Sequence, residues 1–153
     1  MYIEKILTSV SEVVTILGFI VGLPLTFWTY RRTKKIDNQV AEARKALDEL
    51  IEVNVALIRL FHSNDNEHHK AFTELPALFN KLRFTLLFLR HITGITDQIT
   101  LINNLIEISK QDKEKSRAVA DKLIEELDYD NGSSSRIDQL QKLLLSIYMV
   151  EYN

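Results

Sequence analysis

The chain has 153 residues, enough for one modest domain and an appendage. It carries no cysteine, which excludes disulfides, thiolate metal sites and a cysteine nucleophile. Residues 36–153 hold 14 Lys/Arg against 19 Asp/Glu, a net of −5, which argues against a wide surface for duplex nucleic acid.

Only four glycines and two prolines occur, so long helices with few tight turns are expected. Residues 13–30 carry no charge. Eighteen residues rise about 27 Å as a helix, close to a hydrocarbon core of roughly 30 Å. Phe27, Trp28 and Tyr30 fit an interfacial aromatic belt, and Arg31, Arg32, Lys34 and Lys35 follow at once. A removable signal would carry its basic residues in front and a small-residue cleavage site behind, the reverse of this order. Residues 1–35 therefore read as a single-pass anchor with a basic flank. The positive-inside rule places the N-terminus outside and residues 36–153 in the cytoplasm. A buried core helix is the alternative reading of so short a run.

Small residues line one face of this segment. Thr8, Ser11, Thr15, Gly18, Gly22, Thr26, Thr29 and Thr33 follow one another in steps of three and four. Such a face lets membrane helices approach closely, and its hydroxyls can bond across to a neighbour. Thr15, Gly18, Gly22, Thr26 and Thr29 form its membrane part; the competing reading has the hydroxyls bonding their own helix carbonyls. Pro24 cannot donate to the carbonyl of Ile20, so a kink is expected there.

The stripe continues with larger residues: Ile36, Val40, Ala43, Leu47, Leu50, Asn54, Leu57 and Phe61. Alternating steps of four and three make a heptad seam, with Asn54 as a polar core position. Self-association through this seam is expected, with the domain packed on a second face made of Ile51, Val55 and Ile58. The alternative is an amphipathic helix that buries the seam in its own domain.

Residues 62–70, "HSNDNEHHK", read as a connection. A further helix is predicted over about 68–92, with Pro76 near its start and Gly94 as its stop. Thr96 or Thr93 caps a next helix running to about 110. Residues 112–128 form a charged amphipathic helix burying Val119, Leu123, Ile124 and Leu127. Serines of "DNGSSS", 130–135, cap a last helix carrying Ile137, Leu140, Leu144, Ile147 and Tyr148. No convincing β pattern occurs, so the fold class is all-α: one transmembrane helix followed by a small helical bundle.

One basic island departs from the acidic background. Between 68 and 95, Lys70, Lys81, Arg83 and Arg90 face a single acid, Glu74, and His68, His69 and His91 join them. Phe72, Phe79, Phe84 and Phe88 lie among them and suit core packing, or base stacking where exposed. Backbone donors at the helix start near Thr96 would complete an anion site. His68, His69, Lys70, Lys81, Arg83, Arg90, His91 and Thr96 are thus the candidate ligand residues. No metal site is expected, because His62, Glu67, His68 and His69 lack a second ligand pair at metal spacing. No GxSxG, P-loop or HExxH occurs, so no enzyme and no cofactor is expected.

The span "VVTILGFIVGLPLTFWTY", the flank "RRTKK" and the small helical domain with one basic island together resemble a known kind of protein. It is the membrane-bound accessory effector of type III CRISPR defence that senses cyclic tetra-adenylate. The resemblance implies a homo-tetramer in the inner membrane of a prokaryote, whose cytosolic domains bind the cyclic nucleotide and whose membrane part impairs the infected cell. Two other classes fit the same chain: a single-span anchor or scaffold, and a lytic protein that needs no ligand.

Overall fold

The computed structural model describes the backbone of residues 2–62, 64–111, 115–127 and 135–149. Within those ranges it describes side chains from Gly22 onward, Asp65 excepted. Every regular element described is an α-helix: α1 (Tyr2–His62), α2 (Asp65–Phe88), α3 (Ile95–Lys110), α4 (Ser116–Leu127) and α5 (Arg136–Tyr148). The chain is all-α. Its contacts separate two units, residues 1–38 and 39–153.

Unit 39–153 is built round one core. From α1, Ala43, Ala46, Leu50, Val53, Leu57 and Leu60 are buried. Their steps alternate three and four, which is the seam of a helix packed on its neighbours. Alanine at 43, 46 and 56 leaves room for close approach, and Leu50, Leu57 and Leu60 fill what remains. Phe72, Leu75, Phe79, Leu82 and Leu86 of α2 join Ile102, Leu105 and Ile106 of α3, Leu123 and Leu127 of α4, and Leu140 and Leu144 of α5. Complete burial of one such side chain contributes about 1.5–3 kcal/mol.

The assignment of faces on α1 is the main correction to the sequence reading. The expected self-association seam lies inside the unit: Val40, Ala43, Leu50 and Leu57 are buried, with Leu47 and Phe61 packed against the core. The face expected to pack on the domain is open, with Ile51, Val55 and Ile58 exposed by 58 %, 40 % and 48 %. Two apolar columns were available beside 43, 50 and 57. The bundle uses Ala46, Val53 and Leu60, leaving Leu47, Asn54 and Phe61 at its edge.

The other elements also move slightly. Helix α2 starts at Asp65 and so takes in most of the expected connection; Pro76 falls inside it rather than near its start. It stops at Phe88, where the Leu89 N–H donates to the Leu86 carbonyl at 2.9 Å and the Arg90 N–H to the Leu87 carbonyl at 3.4 Å. Arg90 and His91 therefore lie beyond the helix. Gly94, at φ 90°, is the N-cap of α3; no threonine side chain caps that helix. Glycine enters the left-handed region without the Cβ clash that other residues meet there. In α4, Val119, Ala120, Leu123 and Leu127 are buried while Ile124 is half-buried. Ser135 caps α5, its Oγ accepting from the Asp138 N–H at 3.1 Å.

Candidate functional site

The end of the uncharged run has a regular local geometry. Helical spacing sets each cation one turn after an aromatic ring. The Arg31 guanidinium lies 4.5 Å from the Phe27 ring centroid, Arg32 lies 5.4 Å from Trp28, and the Lys34 ammonium 6.0 Å from Tyr30. All six side chains are exposed, as are Leu23 and Leu25. Such pairs contribute about 0.5–1 kcal/mol each at exposed sites. Their larger consequence is placement, because helical side chains lean toward the N-terminus and draw the charges back over the aromatic rings.

The small-residue stripe is described in part. Thr15 and Gly18 lie outside the described side chains. A Cβ built on Gly22 meets no atom within 4 Å, so its own chain does not require glycine there. The Thr26 hydroxyl donates to the Gly22 carbonyl at 2.7 Å, Thr29 to the Leu25 carbonyl at 2.9 Å, and Thr33 to the Thr29 carbonyl at 3.0 Å. Each hydroxyl has one proton, so these three are not offered to a neighbour. Among the described residues, no helix is long and apolar enough to cross a membrane. The uncharged run begins at Val13, and the side chains of 13–21 lie outside those described.

The basic island is dispersed by α2. From His68 to Phe88 the helix rises roughly 30 Å, so the two ends of the island cannot meet within one chain. His68 is half-buried and lines a cavity, while His69 and Lys70 are exposed; Lys70 lies 4.0 Å from Glu74. The Lys81 ammonium donates to Glu52 at 2.7 Å. That hydrogen bond is the chief cause holding Lys81 above its ordinary pKa; desolvation opposes it, and the charges of Glu52 and Glu49 add to it. The Arg83 guanidinium lies 5.7 Å from the Phe84 centroid, and its Nε is buried without a hydrogen-bond partner. Arg90, His91 and Thr96 are exposed around the α2–α3 turn, where Thr96 Oγ1 donates to the Arg90 carbonyl at 3.5 Å. Phe72 and Phe79 are core residues, whereas Phe84 and Phe88 are exposed by 59 % and 68 %. Among the described residues no group of three or more His, Cys, Asp or Glu could hold a metal ion.

No family model, curated protein or solved structure matches this chain.

Sequence reasoning misplaced one feature and missed another. The face of Ile51, Val55 and Ile58, expected to pack on the domain, is open. It borders a groove of about 270 Å³ lined by Leu47, Ile51, Asn54, Leu145 and Tyr148, and the Asn54 Oδ1 is buried there without a hydrogen-bond partner. The other is Arg117, which shares the cavity of His68. Nothing local in the sequence joins positions so far apart; only the packing of α4 beside the α1–α2 end does so.

Proposed function

We propose that this chain is an oligomeric membrane effector of antiviral defence, activated when its helical unit binds cyclic tetra-adenylate. The observation that carries the membrane half is the exposure of Leu23, Leu25, Phe27, Trp28 and Tyr30 next to a basic flank. A helix that is apolar on every face but its threonine stripe suits an apolar environment, and the aromatic–cation pairs suit the lipid–water boundary. The anchor runs through residues 13–30, with the N-terminus outside and the helical unit in the cytoplasm of a prokaryote. The ligand half rests on the resemblance in architecture.

Copies associate through the open face of α1. Ile51, Val55 and Ile58 are apolar neighbours on it, and Arg44 and Asp48 border it with opposite charges one turn apart. A surface carrying both signs beside an apolar centre can complement a second copy of itself. A cyclic ligand with four equivalent phosphates suits four copies. Binding one arrangement of the copies more tightly shifts the population toward it.

A second reading, a passive anchor or scaffold, is favoured by the hydroxyl bonds of Thr26, Thr29 and Thr33 within their own helix. Full-length protein reconstituted in dye-loaded vesicles separates the two. The effector floats with the vesicles and releases dye only when cyclic tetra-adenylate is added. Flotation without ligand-dependent release leaves the scaffold, and failure to float removes the membrane anchor altogether.

A further inference from the structure

The end of α1, the start of α2 and the first part of α4 border a half-open cavity of about 310 Å³. Phe61, His68, Ser116, Arg117, Asp121 and Ile124 carry its chemistry. The Arg117 guanidinium, the His68 imidazole and the Ser116 hydroxyl supply polar groups able to bind an anion. Phe61, half-buried against the core, and the half-buried Ile124 supply apolar surface. Asp121, one turn after Arg117, supplies a carboxylate acceptor.

The start of α4 differs in charge from those of α3 and α5. The first turns of α3 and α5 carry Asp97 and Asp138, which complement the positive end of the helix dipole. The first turn of α4 has no acidic residue and carries Arg117 instead. A cation at a helix N-terminus is unfavourable until a negative group neutralises both. Small-molecule sites start at about 300 Å³, so this cavity has room for one nucleotide unit.

Resting on the sensor reading above, we infer that this cavity holds one nucleotide unit of the cyclic ligand per copy, by its phosphate and an amine-bearing base. Arg117 and His68 take the phosphate, Phe61 and Ile124 cover the base, and Asp121 accepts from its exocyclic amine. Arg117 is fork-shaped and permanently charged, which suits two phosphate oxygens at once. The α2–α3 turn with Arg90 and His91 then lies outside the ligand site.

The experiment is equilibrium binding of cyclic tetra-adenylate, AMP and inorganic phosphate to the full chain in detergent, for the wild type, Arg117→Gln, Asp121→Asn and Arg90→Gln. Circular dichroism checks that each variant is folded. Loss of one charge-assisted phosphate contact weakens binding roughly tenfold or more, so Arg117→Gln should fall by that factor while Arg90→Gln is unchanged. Asp121→Asn should lower the preference for AMP over inorganic phosphate. If Arg90→Gln weakens binding and Arg117→Gln does not, the cavity assignment is overturned and the sensor reading stands. If AMP binds in an Arg117-dependent way and cyclic tetra-adenylate does not, the cavity stands and the sensor reading falls. Binding of neither nucleotide by the wild type overturns both.

Discussion

Helix α1 serves two units, and its two parts solve different problems. In residues 23–30, large apolar side chains cover all but the threonine face of the helix and stay exposed; in 43–60 they keep to one stripe and are buried. The second pattern is that of a helix with water on one side and protein on the other. The first cannot be satisfied by packing on a single face. Hydrophobicity alone therefore does not say where a segment goes; its angular distribution does.

That contrast can be broken most forcefully at Phe79, which is fully buried. Phe79→Ala should destabilise unit 39–153 by about 3–5 kcal/mol, read by chemical denaturation. Phe27→Ala, an equally large truncation on the other part of the chain, should leave that stability unchanged and weaken vesicle flotation. Equal losses would mean that the aromatic belt belongs to the fold.

A smaller expected effect concerns the turn between α2 and α3. Gly94→Ala places a Cβ 3.4 Å from Leu143 Cδ2 at φ 90°, so a loss of about 1–2 kcal/mol is expected from the backbone alone. A thermal midpoint equal to that of the wild type would show that the turn has another conformation.

The open face of α1 sharpens the comparison without changing stability. The chain has no cysteine, so Val55→Cys is a clean probe of the centre of that face. Mild oxidation should give covalent dimers if copies meet there with their α1 helices parallel, because parallel helices bring a central contact residue near its own counterpart. Ala118→Cys, exposed on α4, should give none. Equal cross-linking at both positions would remove this interface.

The smallest effect belongs to the exposed Lys81–Glu52 pair, since surface ion pairs contribute little. Lys81→Met should lower the thermal midpoint only slightly at neutral pH. Because the folded-state pKa of Lys81 is raised, its contribution is fully present below the ordinary lysine value and disappears as pH rises through the folded value. Wild type and variant should thus converge in strongly alkaline buffer.

Much of the architecture was legible locally. Steps of three and four marked the helices, Gly94 marked the break before α3, and Ser135 marked the start of α5. Positions 43, 50 and 57 were correctly placed on one seam, but their partner column was not. Leu47 and Phe61 look like better core residues than Ala46, yet a small side chain that admits a neighbour is as useful in a packed interior as a large one that fills it. The basic island was legible as composition only. Its residues lie close in sequence, but a rigid helix carries His68 and Arg90 to opposite ends.

The sequence by itself determined the helical class, the charge-free run with its aromatic and basic border, and the absence of thiol chemistry. These follow from residue type and spacing, which the chain carries before it folds. Only the tertiary structure decided which face of α1 is buried and that Arg117 shares a cavity with His68. Those outcomes depend on how five helices fill one volume, and no local pattern encodes that choice.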